Sequence, residues 1–310
     1  MPRYDQAKPF VKWAGGKGHL ISQLGLLFPN CLNTVGPVTY VEPFVGGGAM
    51  LFYILNKFKS VNKIIINDIN PDLIECYRLI KDEPSKLIRA LHSLQKQYIL
   101  ATDETQRKEL YYSLRQLYNS KSSSVTRQAA LFMYLNHTCF NGLYRVNSKS
   151  EFNVPCGRYK SPCICNEEVI LADHELLQKV DVVLLNGDYK VVGEYLNPQE
   201  TTFVYLDPPY MPLSVTSYFK QYSSSPFGEK EQKDLLAFCQ QIDKQGISFM
   251  LSNSDCKTAS GESYFEDLYK GFNIDRILAR RYINAHTEKR NKLPEIVIRN
   301  YINELITSTE

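Results

Sequence analysis

VTYVEPFVGGGAMLFYIL, residues 38–55, carries the reading that decides the fold. Its β-branched and aromatic opening predicts a strand ending at Glu42. Glycines 46–48 predict a tight loop, and the apolar run after them a helix from about Ala49. KIIINDIN (63–70) starts the pattern again, with a short apolar strand ending in Asp68, and PDLIECYRLIK follows with Pro71 at a helix start. Upstream, PFVKWAGGKGHLISQLGLLFP (9–29) reads as a short strand, a Gly-rich turn, and a helix from about Lys17 that stops before Pro29. Strand–loop–helix repeated in this way predicts an α/β fold with a parallel, doubly wound sheet.

Further along, the period changes. Residues 72–137 carry apolar positions at helical spacing, broken by the polar SKSSS at 120–124, and residues 138–165 are turn-rich and aromatic, as in a hairpin or ordered loop. Strand character returns at VDVVLL (180–185), TTFVYLDPPY (201–210), GISFMLSNSD (246–255) and EIVIRNYI (295–302). The expectation is a sheet domain from 1–71 and 166–310, interrupted by a mainly helical module at 72–165.

Composition narrows the class. The 310 residues, 44% hydrophobic and 22% charged, suit one large globular domain or a domain with an insertion. No run of eighteen apolar residues exists and MPRYDQAKPFVKW lacks an apolar signal core, so neither a membrane span nor a secretory signal is expected, and the cytoplasm is the expected location. Eight scattered cysteines read as free thiols; the Cys156–Cys165 cluster lacks the paired spacing zinc requires, so no metal site is assigned. Net charge is only +3, but Arg276, Arg280, Arg281, Lys289, Arg290, Lys292 and Arg299 form one basic stretch and Arg145, Lys149, Arg158 and Lys160 another. Either is a solvated face or part of a phosphate-binding groove.

In open parallel sheets ligands sit beyond the carboxyl ends of the strands, where Glu42, Asp68, Asp188 and Asp207 fall. Asp68 stands where a carboxylate can bond ribose hydroxyls. Contiguous glycines preceded by an acid do not make a dinucleotide loop, because the carboxylate repels phosphate. A P-loop fails too: it would need glycine at Val11 and Ser or Thr at Gly18. A cationic nucleoside without phosphates fits better, and S-adenosyl-L-methionine is the common one. VYLDPPY (204–210) then gains a purpose. The Asp207 carboxylate and Pro208 carbonyl can accept the two hydrogens of an adenine amino group and turn its lone pair toward an electrophilic methyl. Pro208 and Pro209 fix φ and remove competing donors. Tyr210 offers a face for the base, worth ~1–3 kcal/mol in nucleic-acid proteins. A plain turn capping a strand is the alternative reading.

With PFVKWAGGKG, EPFVGGGAM, NDIN, FNGLYRVNSKSEFNVPCGRYKSP, DPPYMPLS, MLSNS and EIVIRNY in this order, nearly the whole chain resembles the Dam-type DNA adenine methyltransferases. It most resembles the GATC-modifying enzymes of bacterial restriction–modification systems. The resemblance implies a Rossmann-like S-adenosylmethionine-dependent sheet with a target-recognition insertion at 72–165. It also implies a site-specific, adenine-N6 methyltransferase acting on double-stranded DNA containing GATC. Trp13, Ala14, Gly15 and Lys17 would close over the methionine part of the cofactor, and Lys12 would also touch DNA. Glu42, Pro43, Phe44, Gly46 and Gly47 would hold the sulfonium-bearing chain, Asp68 the ribose, and Asp188 with Tyr189 the cofactor's adenine. Asp207, Pro208, Pro209 and Tyr210 would bind the flipped target base beside the cofactor.

Asn141, Leu143, Arg145 and Pro155 would face the bases: Arg145 suits guanine, Leu143 the thymine methyl, and Asn141 a base edge. A phosphate contact is the alternative for Arg145. Tyr144 and Cys156 carry no assigned role, and His137 reads as a packed or loop histidine. Direct in-line displacement is the expected mechanism, with no metal or covalent intermediate. A cognate restriction endonuclease can belong to the same system, without a physical complex. Two competing readings stay open: amino methylation of another target (DNA cytosine-N4 or RNA adenine), and a non-catalytic sequence-specific DNA binder.

Overall fold

A computed structural model describes residues 7–210, 227–256, 263–279 and 293–303. Among these, seven strands form one sheet: β1 (Val38–Glu42), β2 (Val61–Asp68), β3 (Asp181–Asn186), β4 (Thr202–Leu206), β5 (Ser248–Ser254), β6 (Asn273–Ala279) and β7 (Leu293–Arg299). Their order is β3-β2-β1-β4-β5-β7-β6. β1 pairs in parallel with β2 and β4, and β4 with β5, whereas β7 runs antiparallel to both β5 and β6. Every residue of β1 and β4 is buried, as strands covered on both faces require.

The antiparallel end departs from the parallel sheet that the sequence predicts. NIDRILA (273–279) was expected only as part of a basic stretch, yet it forms β6. Its charges are committed inside the protein. Arg276 Nε bonds Asp255 Oδ2 at 2.8 Å and its Nη2 bonds Glu266 at 2.6 Å, while Arg299 Nη2 bonds Asp275 at 2.6 Å. Arg280, Arg281, Lys289, Arg290 and Lys292 lie outside the described residues, as do residues 211–214 of the DPPYMPLS motif.

The chain divides into two compact units, one from Met1–Gly16, Val45–Lys59 and Asn67–Asp188, the other from Lys17–Phe44, Ser60–Ile66 and Tyr189–Glu310. Helix α1 (Ile21–Leu24) belongs to the second unit. The long helix expected from Lys17 is reduced to a 3₁₀ turn at Lys17–His19 and this single turn, with no side-chain cap before it and Gly25 after it. A nucleus so short gains too little to propagate.

The first unit is mostly helical: α2 (Ala49–Lys57), α3 (Pro71–Asp82), α4 (Pro84–Leu100), α5 (Glu104–Asn119), α6 (Val125–Thr138) and α7 (Glu167–Leu177). Asn70, Asp103, Ser124 and Asn166 cap α3, α5, α6 and α7 by accepting first-turn N–H groups. From Ala129 to Asn136 α6 is buried without a break, and α3, α4 and α5 pack around it. Residues 72–165 lie wholly within this unit, which also takes in α7 and β3.

No strand forms at 9–13, contrary to expectation. Side chains satisfy the backbone of residues 8–12 instead: Lys8 N donates to Asp173 Oδ1 (3.0 Å), His137 Nε2 to Phe10 O (3.1 Å) and Lys12 N to Asn136 Oδ1 (2.8 Å), while Asn136 Nδ2 returns to Lys12 O (2.7 Å). Main-chain polar groups need partners but need not find them in a sheet. The second unit adds α8 (Glu229–Lys244), whose Glu231 carboxylate accepts from Gly228 N at 2.8 Å, and α9 (Tyr264–Leu268). Among the described residues no helix is long and apolar enough to cross a membrane.

Candidate active site and nucleic-acid interface

Asp207 follows the last residue of β4, where the proline pair ends the strand. Lys17 Nζ stands 3.1 Å from Asp207 Oδ1 and 3.6 Å from Glu295 Oε2, and only 4% of the lysine side chain is exposed. The same ammonium lies 4.0 Å from the centre of the Tyr210 ring. Tyr210 in turn donates its phenol to Glu295 Oε2 at 2.7 Å. Ser252 on β5 donates to Asp207 Oδ1 at 3.1 Å and its hydroxyl lies 3.0 Å from that of Tyr205. Burial pushes the Asp207 pKa up, against Lys17 and Ser252, which hold it down; Glu295 adds to the rise. Burial also raises the Tyr210 phenol well above its ordinary value, so it stays a neutral donor.

The sequence suggested a set of acceptors shielded from donors. Instead two donors, Lys17 and Ser252, converge on one oxygen of Asp207. The prolines remove backbone donors only. Lys17, expected among the cofactor-binding residues, contacts the expected catalytic acid. Glu295 and Ser252 had no expected role, although each lies in a motif that sequence reading singled out.

Glu42, 3% exposed at the end of β1, accepts from Tyr40 Oη at 2.8 Å. Pro43 beside it is buried. Phe44 and Tyr189 stack with ring centres 5.1 Å apart, flanked by Phe227. These residues belong to the second unit.

In the first unit the glycine loop is shaped by close approach. Gly46 and Gly48 take φ of +49° and +79°, and a Cβ at Gly46 would lie 2.7 Å from the Trp13 indole. Gly46 N donates to Asp68 Oδ2 at 3.1 Å, and Asn70 N to Asp68 Oδ1 at 2.9 Å. Asp68 therefore organises both the loop and the start of α3, and burial raises its pKa. Trp13 covers Gly46 and Gly47 and stacks on Tyr144 at 5.7 Å, a residue without an expected role. Ala14 and Gly15 are exposed beside Trp13, and Asp188 is exposed just beyond β3.

The expected base-reading residues gather on one hairpin held by backbone bonds: Phe140 N to Pro155 O (2.9 Å), Asn153 N to Arg145 O (3.1 Å) and Gly157 N to Thr138 O (2.8 Å). Asn141 is exposed at φ 55°, a conformation Asn tolerates. Leu143 is half-buried; Arg145 and Pro155 are exposed. Arg145 Nε donates to Asn153 Oδ1 at 2.7 Å, which orients the guanidinium. The Lys12 stem packs against Gly142, its Nζ lies 4.3 Å from the Tyr159 ring centre, and Asn136 ties Lys12 and Gly142 together.

Residues 13–283 match the D12 class N6 adenine-specific DNA methyltransferase family. The chain belongs to that family. It is 44% identical over 299 residues to "Type II methyltransferase M.MjaIII" of Methanocaldococcus jannaschii, covering 96% of this chain and 100% of that one. With "Type II methyltransferase M1.LlaDCHI" of Lactococcus lactis subsp. cremoris it shares 41% over 301 residues, 96% of each chain. With "DNA adenine methylase" of Escherichia coli K12 it shares 31% over 292 residues, 94% of each. This D12-class enzyme is thus an adenine-specific DNA methyltransferase with S-adenosyl-L-methionine as methyl donor. Its residues fit that donor. In the second unit, buried Glu42 suits a cationic ligand and not a phosphate, and Phe44 and Tyr189 offer flat apolar surface; in the first unit, taken by itself, the Asp68 carboxylate suits hydroxyl groups.

Proposed function

We propose that this methyltransferase modifies the adenine amino nitrogen of duplex 5'-GATC-3', with the base swung out of the stack and the methyl group moved by direct displacement. The observation that carries this reading is the Asp207 carboxylate. Among the described residues, its hydrogen-bonded donors both fall on Oδ1, which fixes the carboxylate plane and presents Oδ2. Oδ2 and the Pro208 carbonyl accept the amino hydrogens, Pro209 holds the turn, and the base stacks on the Tyr210 face opposite Lys17. S-adenosyl-L-methionine, when bound, supplies an electrophilic methyl on a sulfonium. Glu42, Pro43, Phe44, Gly46 and Gly47 hold its sulfonium-bearing chain, Asp68 its ribose, Asp188 and Tyr189 its adenine, and Trp13, Ala14, Gly15 and Lys17 its methionine end.

Residues 72–165 act as the target-recognition module and 1–71 with 166–310 as the catalytic domain. Arg145 reads guanine, Leu143 the thymine methyl and Asn141 a base edge, with Pro155 and Lys12 completing the DNA contacts. The type II names of two relatives support a place in a restriction–modification system, with a cognate endonuclease acting separately in the cytoplasm.

Digestion of treated duplexes by one nuclease that cuts only unmethylated GATC and another that cuts only methylated GATC tests the reading. Protection from the first and cutting by the second are expected. Methyl label on RNA alone, or on DNA lacking GATC as readily as on DNA containing it, overturns the assignment.

A further inference from the structure

Lys17, Asp207 and Glu295 place one ammonium between two carboxylates, all three largely buried. A buried ion pair costs desolvation, and an extra buried carboxylate costs more unless it has a use. The Tyr210 phenol gives Glu295 a hydrogen bond at 2.7 Å but does not neutralise it. Lys17 with Asp207 alone would be a neutral pair. Among the described residues, Glu295 makes the cluster net negative.

We infer that Glu295 is a positioning residue for methyl transfer: it fixes the Tyr210 ring, shares the Lys17 ammonium, and leaves the cluster with the negative charge that the reacting amino nitrogen requires. This inference rests on the reading of Asp207 as acceptor of the target amino group. As that nitrogen bonds the methyl carbon, the carbon–sulfur bond breaks and the sulfonium leaves as a neutral thioether. The nitrogen carries the positive charge until it sheds a proton to water, and a fixed negative field in a dry site stabilises the change without reorganisation. Shared between two acids, the ammonium lies closer to Asp207 but does not belong to it alone. Tyr210 is likewise held from its phenol end, which sets the plane of the stacking face. The glutamate is delivered by strand register, since β7 pairs Glu295 with Ser254 on β5, two residues beyond Ser252.

Glu295→Gln deletes the charge while keeping an oxygen for the Tyr210 phenol. The expected result is a kcat lowered roughly 10- to 100-fold with KM for the duplex little changed, as for one charge acting at short range in a partly dry site. The pH profile adds a readout that mere anchoring of Tyr210 would not move. Among the described residues, Asp207 is faced by Lys17, Ser252, Glu295, Tyr205 and Tyr210, with Tyr40 and Glu42 in the surrounding charge field. Of these, Glu295 is a carboxylate that raises the Asp207 pKa, so its neutralisation lowers that pKa and shifts the acid limb of kcat to lower pH.

Glu295→Asp, which keeps the charge, is expected to restore most of kcat and leave the acid limb near its wild-type position. It carries the test alone should the glutamine variant fail to fold. Wild-type kcat with an unmoved acid limb in Glu295→Gln overturns the inference, as does a folded Glu295→Asp with activity as low as Asp207→Asn. The two failures separate in one assay. An inactive Asp207→Asn beside a Glu295→Gln that matches wild type removes the inference alone, whereas a fully active Asp207→Asn removes the reading beneath it.

Discussion

Lys17, Asp207 and Glu295 in the second unit are buried beside one another with opposite charges, whereas among the described residues buried Asp173 and half-buried His137 in the first unit form no ion pair. Burial pushes Asp173 up to about 8 and His137 down to about 4, so both are mainly neutral near pH 7. Each has one main-chain task, the aspartate holding Lys8 N and the histidine Phe10 O. The contrast teaches how to read a buried titratable group. One with an ionic partner can keep its charge for chemistry; one without a partner gives up its charge and serves as a hook.

Asparagine at the two acids breaks the comparison most directly. Asp207→Asn keeps the shape and loses the charge, and methyl transfer is expected to fall by about 10²–10⁴-fold, the range for a positioned acid–base group. Asp173→Asn replaces one neutral acceptor with another and should leave kcat near wild type. Single-turnover methylation of a duplex measures both. Equal losses at the two positions would erase the distinction.

The pH dependence of stability sharpens it. The folded pKa of Asp173 lies above its ordinary 3.8, so its contribution is intact below about pH 4 and is lost as pH rises toward about 8. His137 has the opposite sign. Its folded pKa lies below the ordinary 6.5, so stability present above that value is lost as pH falls toward about 4. Each window changes stability by at most about 1.4 kcal/mol per pH unit, and the two oppose each other where they overlap. Denaturant unfolding from pH 4 to 8 should therefore show Asp173→Asn gaining on wild type toward the alkaline end. His137→Gln, which can still donate to Phe10 O, should show a smaller gain toward the acid end. Parallel curves for all three proteins would contradict the neutral burial of these groups.

What sequence made legible divides along a similar line. Strand β1, the glycine loop, α2, β2 and α3 follow from local pattern, because each buries a face that its own residues specify and Asn70–Pro71 marks a helix start. Segment 9–13 looks like a strand by composition, but the partners that settle its backbone, Asn136 and His137, come from far along the chain, as does Asp173 at the preceding Lys8. Strand β6 is masked by Asp275 and Arg276, whose charges find Arg299, Asp255 and Glu266 only after folding. Asp207 could be singled out because a strand, an acid and two prolines are contiguous. Glu295 reads as one more strand residue until register brings it to Lys17 and Tyr210.

The hairpin extends the comparison to exposed charge. Arg145 is solvent-facing, so its work depends on orientation more than on dielectric. Arg145→Ala is expected to lose roughly 1–3 kcal/mol of discrimination at one guanine. Competition between GATC duplexes and single-base variants measures this. An equal loss on every sequence, with a shallower salt dependence, would assign Arg145 to phosphate.

Asn153 is expected to give the smallest effect, and it tests orientation by itself. Its Oδ1 accepts the Arg145 Nε at 2.7 Å, and its backbone N–H holds Arg145 O at 3.1 Å. Asn153→Ala keeps the backbone bond and removes the side-chain one, so Arg145 stays on the hairpin but regains rotamer freedom. The cost should be that of one modest hydrogen bond, about 0.5–1.5 kcal/mol, at the same base as Arg145→Ala. Because the asparagine acts through the arginine, the double variant should lose no more than Arg145→Ala alone. Additive losses in that double-mutant cycle would mean that Asn153 contacts DNA in its own right, and that Arg145 is not held for reading by its neighbour.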